Sequence, residues 1–193
     1  MIRIRKITNP YLEANIRKIE AVKEIIRVQF PAVSERKISD LDEQFVDPLK
    51  HRYQSSLFIA EDIHERVKAF ALLLYMPDIG FCFLDYIAAS PDSSSSGLGG
   101  ALYERIREEA ISLDAIGLFF ECLPDDPLLC KDQQTLEQNR RRLAFYERFG
   151  ARPVANTLYE TPVKPEDDCP PYLVFDGLDR KSTRLNSSHR IRS

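Results

Sequence analysis

Two segments of this 193-residue chain contain groups that could bind a ligand and do chemistry. The first, residues 90–106, reads SPDSSSSGLGGALYERI, in which four serines run into three glycines and then a helical pattern. The second, residues 135–150, reads TLEQNRRRLAFYERFG and places Asn139 and Tyr146 on one helical face. Glu121 ends a hydrophobic segment between the two. These residue types could hold a phosphate and supply an acid and a base.

The glycine-rich part of residues 90–106 admits two interpretations. Glycines immediately before a helix let the backbone approach a ligand closely, and the free N–H groups of the first turn present donors and a positive dipole end to a phosphate. A flexible, solvated Ser/Gly linker explains the same residues equally well. The loop therefore predicts a phosphate site only together with a second feature.

A dinucleotide-binding turn is a third interpretation, because Glu121 follows Gly99 by about 22 residues, as in the Rossmann fingerprint. Two observations count against it. The Rossmann turn leaves its strand directly, whereas seven residues separate Ala89 from Gly97. The strands before the loop also form a meander rather than βαβ units. A different phosphate ligand is therefore favoured.

The second segment supplies the additional feature. Taken alone, Tyr146 is best explained as a core residue of an amphipathic helix and Asn139 as a surface residue. Taken with the glycine loop before the preceding helix, a binding role for both side chains becomes the better explanation. Arg140, Arg141 and Arg148 are expected to lie mainly on other faces of this helix.

Hydrophobic periodicity predicts the elements that position these residues, in the order β-α-α-β-β-β-α-β-α-β-β. Short connections make the second to fourth strands an antiparallel meander, and the helix after the glycines makes the next strand parallel to the fourth. The expected fold is an α/β (α+β) domain with a mixed sheet of about seven strands and four helices. The predicted ranges are 2–7, 11–30, 34–50, 55–62, 67–77, 81–89, 97–113, 117–123, 135–150, 154–163 and 171–177.

Residues 179–193 are expected to be a non-native tail. Residues 179–189, DRKSTRLNSSH, correspond codon by codon to a common short-read sequencing adapter, a match that is hard to obtain by chance. The tail carries five basic side chains and one acidic one, so the net charge of −3 for the whole chain becomes about −7 for residues 1–178. An acidic surface argues against nonspecific nucleic-acid binding and suits a cationic amine substrate. We expect one domain over residues 1–178, truncated by the adapter.

The sequence also predicts a cytoplasmic protein without a metal. The longest apolar run, VKAFALLLYM, is interrupted by Lys68 and is far shorter than the roughly 20 residues of a spanning helix, and no apolar signal segment follows Met1. The four cysteines contain no CxxC pair, so they are expected to be reduced, mostly buried thiols rather than disulfide partners or zinc ligands. They are Cys82, Cys122, Cys130 and Cys169.

With these two segments and this order of elements, the chain resembles the GNAT superfamily of acyl-CoA-dependent N-acyltransferases. LDYIAASPDSSSSGLGGALYERI is similar to the strand, pyrophosphate loop and helix of that family, and NRRRLAFYERFGARPV is similar to its Asn-helix-FYxxxG segment. The second segment is the more specific, and the resemblance covers nearly all of residues 1–178. It implies acetyl-CoA as cosubstrate, an amine as acceptor and no metal.

The resemblance implies a role for each matching position. By this resemblance, the CoA pyrophosphate would accept hydrogen bonds from the backbone N–H groups of Leu98, Gly99 and Gly100, which follow Gly97. The pantetheine would pair with Ile87 and Ala88 as an added strand would, and Asn139 would bind the pantetheine arm. Tyr146 would be the general acid. Ser94 stands where the family usually has Arg or Gln, so a charged or amide side chain is missing from the pyrophosphate contact.

The implied mechanism is direct acyl transfer in a ternary complex. A neutral amine attacks the thioester carbonyl, a donor stabilises the oxyanion, and an acid protonates the departing thiolate. Glu121 is the first candidate base, because it ends a central strand beside the expected cleft, and Asp85 is the second. An ordinary capping or solvated role is the alternative for either carboxylate. His51 and His64 lie in polar segments and are less favoured.

A narrower resemblance concerns LFFECLPDDP, YETPVKP and PPYLVFDGL. They resemble bacterial acetyltransferase domains that precede a histone-deacetylase-like or acetylpolyamine-deacetylase-like amidohydrolase, which would imply a polyamine or small primary amine as acceptor and association with such a domain. The contrasting interpretation is a noncatalytic acyl-CoA-binding module that regulates a joined or partner enzyme. A lysine side chain of a protein is also a possible acceptor, and the chain could form a homodimer. No nucleic-acid or membrane partner is expected.

Overall fold

The computed structural model of the chain describes residues 2–45, 51–93, 97–157, 159 and 169–178. The strands are β1 (Arg3–Ile7), β2 (Gln54–Glu61), β3 (Val67–Met76), β4 (Phe81–Ala89), β5 (Gly117–Cys122), β6 (Arg152–Pro153) and β7 (Tyr172–Asp176). The α-helices are α1 (Glu13–Gln29), α2 (Glu35–Ser39), α3 (Leu98–Ser112) and α4 (Gln133–Glu147), and a 3-10 helix (Asp40–Phe45) follows α2. No helix within the described ranges is long and apolar enough to cross a membrane.

The seven strands form one mixed sheet in the order β1-β2-β3-β4-β5-β7-β6. β1 to β4 pair as an antiparallel meander, β4 and β5 are parallel, and β7 is antiparallel to both β5 and β6. The predicted meander, the predicted parallel pair and the predicted α/β fold class are therefore confirmed. The insertion of β7 between β5 and β6 was not predicted.

Two hydrophobic cores lie on opposite faces of this sheet. α3 and α4 cover the face that carries Phe58 and Phe120, whereas α1, α2 and the 3-10 helix cover the face that carries Leu57 and Phe70. Because side chains alternate along a strand, neighbouring residues of β2 enter different cores. Both cores contribute fully buried residues, which explains the nearly continuous apolar sequences of β2 and β3.

Two predicted elements differ from the structure. The helix expected over 34–50 is the five-residue α2 followed by the 3-10 helix, and residues 46–50 lie outside the described ranges. The described residues of the strand expected over 154–163 are not in a strand, and the two-residue β6 lies just before them. Residues 158 and 160–163 of that expected strand are also outside the description. A short helix at 35–39 is consistent with the weak periodicity there, because tertiary contacts rather than propensity decide such lengths.

A buried carboxylate ties β7 to α3. Asp176 is 1% exposed and accepts hydrogen bonds from the Tyr103 hydroxyl at 2.7 Å, the Arg107 Nε at 2.9 Å and the Leu178 backbone N–H at 2.7 Å. Arg107 also donates to the Phe149 carbonyl beyond the end of α4 at 3.4 Å. This network holds the last part of the sheet against the two helices that bound the candidate site.

Replacing this carboxylate should cost stability. Asp176→Ala leaves the mostly buried Arg107 without its ion partner, so we expect the free energy of unfolding to fall by about 3 to 5 kcal/mol in urea titrations. The control is Glu137→Ala, which removes the exposed partner of Arg141 and should change that free energy by about 0.5 kcal/mol or less. Equal effects of the two substitutions would contradict a structural role for Asp176.

Candidate active site

The two central strands part in the middle of the sheet. β4 and β5 pair up to Leu84 and Phe120, but β4 continues through residues 85–89, which we call the free edge of β4. Along the free edge, Ile87 and Ala88 remain paired with β3, while their ladder with β5 has ended. Backbone groups turned toward the gap can therefore pair with an extended ligand, as an added strand would.

Asp85 begins the free edge and is the extra residue of a β-bulge. The register with β3 passes from Leu84 directly to Tyr86, so Asp85 has no partner across the ladder. Its carboxylate lies 3.9 Å from the Lys37 Nζ of α2, and its side chain is 18% exposed. Burial raises the pKa of Asp85, the Lys37 ammonium opposes this rise, and the Glu121 carboxylate adds to it. The result is a carboxyl group with a higher proton affinity than an ordinary aspartate.

Glu121 lies at the same level on the neighbouring strand. Phe120 and Leu84 are the last residues that pair between the two strands, and Glu121 and Asp85 are the residues that follow them. Glu121 is exposed on the face opposite to Phe120. Its Oε1 accepts a hydrogen bond from the Tyr159 hydroxyl. Burial, followed by this bond and the charge of Glu121, raises the pKa of Tyr159, so the phenol remains the donor. The two carboxylates proposed from the sequence are thus brought to the point where the strands part.

The glycine loop lines a groove at the other end of the free edge. The groove has a volume of about 560 Å³. Gly97 is the N-cap of α3 with φ +73°, a left-handed conformation that favours glycine. The N–H groups of Leu98, Gly99 and Gly100 form the first turn of α3 and have no acceptor within that helix. Ser94 lies outside the described residues. The lining residues are Ala89, Ser93, Gly97, Leu98, Gly99, Gly100, Phe145, Arg148 and Phe149.

Three of these lining residues were missed by the sequence analysis. Phe145, Arg148 and Phe149 come from the end of α4, and the Arg148 guanidinium lies 5.2 Å from the ring centroid of Phe145. Arg148 was expected on another face of the helix. Arg140, Arg141 and Arg148 are all exposed, whereas Asn139 and Tyr146 are buried, so the three arginines lie on other faces of the helix as expected. The position of Arg148 at the C-cap of α4 was the signal that could have identified its place in the groove.

Tyr146 is held in an aromatic cluster beside the point where the strands part. Its ring lies 4.4 Å from Phe120, 4.9 Å from Tyr103 and 5.0 Å from Phe145, measured between centroids. The residue is 6% exposed. Burial is the main reason that the pKa of Tyr146 is raised, so the phenol is protonated at neutral pH. Tyr146 lies in the α3 and α4 core, on the opposite face of the sheet from Lys37.

Asn139 is a buried residue rather than the surface residue of the plain helical interpretation. It is 1% exposed, and its Nδ2 donates to the Pro124 carbonyl at 2.9 Å and contacts the Cys130 Sγ at 3.8 Å. Asn139 therefore fastens the loop after β5 to α4. Because the amide nitrogen is used in this way, only the carbonyl oxygen remains for a ligand.

Cys130 and Cys169 form a disulfide, with Cα atoms 4.5 Å apart. The expectation that all four cysteines are reduced is therefore wrong for this pair, whereas Cys82 and Cys122 are buried free thiols as expected. The loop after β5 meets the segment that enters β7, and a separation of 39 residues gave no sign of this contact. Burial raises the pKa of Cys122 to about 11, which keeps this thiol unreactive at neutral pH.

The two less favoured histidines lie apart from these groups. His64 is exposed in the turn between β2 and β3, and His51 is half-buried with its ring 5.4 Å from that of Tyr53. Among the described residues, no three His, Cys, Asp or Glu side chains form a group that could hold a metal ion.

The geometry suits a long ligand with a phosphate end and a reactive end. The groove offers N–H groups and one guanidinium, which bind phosphate. The free edge offers backbone pairing from Ala89 back to Asp85, about 13 Å at the usual rise per residue. At the far end, a phenol lies on one face of the sheet and two carboxylates lie toward the other. This arrangement supports acid-base catalysis of a transfer reaction.

Comparison with solved structures identifies the fold as that of the GNAT acetyltransferases. The chain is similar to the ribosomal-protein-S18-alanine N-acetyltransferase of Escherichia coli, with a TM-score of 0.64 and 18% identity over 97% of this chain and 100% of that one. It is also similar to the catalytic domain of the Tetrahymena GCN5 histone acetyltransferase in complex with coenzyme A, with a TM-score of 0.62 and 12% identity over 96% and 98%.

A PaiA N-acetyltransferase of Thermoplasma acidophilum in complex with coenzyme A has a TM-score of 0.57 and 13% identity over 91% of this chain and 98% of that one. No protein-family model matches the chain, and no curated protein matches it by sequence. At such identities the comparisons establish the fold, which agrees with the resemblance seen in the two sequence segments.

The disulfide should stabilise the walls of the site. It closes a separation of 39 residues, so reduction by a dithiol should lower the free energy of unfolding by about 3 to 4 kcal/mol. Urea unfolding with and without the dithiol measures this difference. A variant with Cys130→Ser and Cys169→Ser should be insensitive to the dithiol, and equal sensitivity of this variant and the wild type would contradict the assignment.

Proposed function

We propose that this protein is an acyl-CoA-dependent N-acyltransferase that moves an acetyl group from acetyl-CoA to a primary amine by direct attack in a ternary complex. The observation that carries the proposal is the free edge of β4, which leads from the glycine groove to Asp85 and Glu121 and passes Tyr146 on the opposite face. The fold of known acetyltransferases supports it.

The groove would hold the CoA pyrophosphate. Leu98, Gly99 and Gly100 would donate backbone N–H groups, and Gly97 would set the direction of the loop. Arg148 lies in the groove and would supply the positive charge that Ser94 does not.

The free edge would hold the rest of the acetyl-CoA molecule. Ile87 and Ala88 would pair with the amides of the pantetheine arm. The carbonyl oxygen of Asn139 would accept a further bond from that arm, because the Asn139 amide nitrogen already bonds to Pro124. The thioester would then lie near Asp85, where the free edge begins.

Two carboxylates would prepare the amine. Glu121, acting directly or through a water, and Asp85 beside it would take the proton of the bound ammonium. The raised pKa of Asp85 brings its proton affinity closer to that of an amine, which favours this transfer. Their negative charge also attracts a cationic acceptor, although Lys37 offsets part of it.

Tyr146 would protonate the departing thiolate. Its raised pKa keeps the phenol protonated at neutral pH, so the proton is available to a thiolate that forms beside it. Tyr146 and the carboxylates lie on opposite faces of the sheet, so the amine would arrive on one side of the thioester and the thiolate would leave on the other.

The acceptor class is a further part of the proposal. The similar structures are named for a ribosomal-protein alanine and a histone as substrates, so this fold serves more than one acceptor. The charge of about −7 over residues 1–178 and the paired carboxylates favour a polyamine, another small primary amine or a lysine side chain.

Location and domain organisation follow the sequence interpretation. We propose one domain over residues 1–178, a non-native tail over 179–193, association with a deacetylase-like domain and a cytoplasmic location. The Cys130–Cys169 disulfide counts against that location, because disulfides are rare in the cytosol. We also propose that the protein forms a homodimer and has no nucleic-acid partner.

Binding of acetyl-CoA is the first test. Acetyl-CoA should raise the melting temperature of the wild type, and Arg148→Gln should weaken binding about ten- to hundredfold, because a charge-assisted bond to phosphate is lost. Arg141→Gln is the matched control on α4, since Arg141 pairs with Glu137 and does not line the groove. Equal affinity in both variants would contradict the assignment of Arg148, and no stabilisation of the wild type would contradict the function itself.

Thiol release over polyamines, amino acids and lysine peptides is the second test. Tyr146→Phe should lower kcat by about a hundredfold while leaving acetyl-CoA affinity unchanged, because the phenol acts on the leaving group. Tyr75→Phe, on β3 away from the free edge, should leave kcat unchanged. Unchanged turnover in Tyr146→Phe would remove this residue from the mechanism. Stabilisation by acetyl-CoA without thiol release on any amine would favour the alternative, a noncatalytic acyl-CoA-binding module.

A further inference from the structure

One amine of the chain itself lies at the reactive end of the free edge. The Lys37 Nζ is 3.9 Å from Asp85 Oδ1 and 5.3 Å from the ring centroid of Tyr86, the next residue of β4. The Lys37 side chain is 52% exposed, so its ammonium group is accessible to solvent although it pairs with Asp85. Lys37 therefore places an amine of the protein itself beside Asp85, the carboxylate that would serve as base.

Helix α2 fixes the direction of this lysine. Ser34 is the N-cap of α2, and its side chain accepts a hydrogen bond from the Lys37 backbone N–H at 3.3 Å. Ile38, the next residue, is buried in the core beneath α1, which anchors the short helix to the sheet. The backbone of Lys37 is thus held while its long side chain reaches β4.

The other described lysines have their ammonium groups elsewhere. Their carboxylate partners lie on β2, on helices or in the β2–β3 turn for Lys6, Lys18, Lys23 and Lys68, and Lys131 is exposed before α4. Within the described ranges, Lys37 is therefore the lysine whose ion pair is made with a residue of the free edge.

We infer that Lys37 is a site of self-acetylation, an internal acceptor that takes the acetyl group of bound acetyl-CoA. The inference rests on the proposed function, because the donor and the acid are those of the amine transfer. It adds a covalent modification of the protein to the reaction on free amines.

The step balances without any further reactant. Asp85 accepts one proton from the Lys37 ammonium, and the neutral amine attacks the thioester carbonyl to form a C–N bond. The C–S bond breaks, and the thiolate takes the proton of Tyr146. The surplus proton of the new amide nitrogen passes through water to the Tyr146 phenolate, and Asp85 releases its proton to solvent. The products are Nε-acetyl-Lys37, coenzyme A and one proton.

The ion pair has two opposing effects on this reaction. Burial lowers the pKa of Lys37, but Asp85 and then Tyr86 raise it above the ordinary value overall. Lys37 should therefore react more slowly than an unpaired lysine with acetyl-CoA in free solution, where only the neutral amine attacks. Preferential acetylation of Lys37 would then require the folded cleft, which brings the thioester and the base to it.

Incubation of the full chain with acetyl-CoA and no added amine tests the inference. Intact mass should increase by one acetyl group, peptide mapping should place it on Lys37, and thiol release should reach one equivalent. Lys68 is the matched reference, because its Nζ lies 4.0 Å from an Asp62 carboxylate oxygen. Acetylation of Lys37 no faster than that of Lys68, or no faster than in heat-unfolded protein, would overturn the inference.

Two variants separate catalysis from ordinary chemical reactivity. Asp85→Asn should slow acetylation of Lys37 by about tenfold or more and leave Lys68 unchanged, because a general base is lost. Lys37→Arg should abolish the thiol released in the absence of amines. Equal rates of Lys37 acetylation in Asp85→Asn and in the wild type would overturn the inference. A first-order rate constant that rises with protein concentration would also overturn it, because it indicates transfer between molecules.

The same experiment with added amines distinguishes the two proposals. Acetylation of free amines without modification of Lys37 would overturn the self-acetylation and leave the proposed function intact. Modification of Lys37 that depends on Asp85, without turnover of any added amine, would support the self-acetylation and count against the proposed transfer to free amines.

Discussion

The end of the β4–β5 ladder at Leu84 and Phe120 is the constraint on which the site depends. Parallel strands that stayed paired would use every backbone group of β4, and no extended ligand could lie along it. The bulge at Asp85 turns the strand at this rung, and β5 instead continues its pairing with β7 on the other side. A gap thus opens within a sheet whose two halves are otherwise fully bonded.

The alternation of side chains converts this gap into an asymmetric site. Phe120 and Leu84 point to the core beneath α3 and α4, where Tyr146 packs on Phe120, while Glu121 is exposed on the other face and Asp85 pairs with Lys37 of α2. A protonated phenol and two carboxylates therefore face each other across the sheet. The buried Asp176 network and the Cys130–Cys169 disulfide hold the surrounding helices and loops in place.

Much of this arrangement could be predicted from local patterns. Period-two and helical spacing predicted the element order. The glycines and the Asn139 to Tyr146 spacing pointed to two segments, of which the glycines line the groove and Tyr146 packs on Phe120. The place of Arg148 in the groove was missed because its side chain borders the glycine loop only through the packing of α4 beside α3. The disulfide was missed because Cys130 and Cys169 become neighbours only through the insertion of β7 between β5 and β6.

The sequence by itself determined most of the secondary structure, the antiparallel meander and the residue types available for chemistry, because these follow from local periodicity, short connections and side-chain chemistry. Only the tertiary structure decided where β4 and β5 part, which brings Asp85 level with Glu121, and that Lys37 reaches Asp85 from α2. Pairing registers and helix docking depend on contacts between residues far apart in the chain. In the segment that could have been a linker, Ser93 and the three glycines line a groove because Phe145 and Arg148 lie beside them.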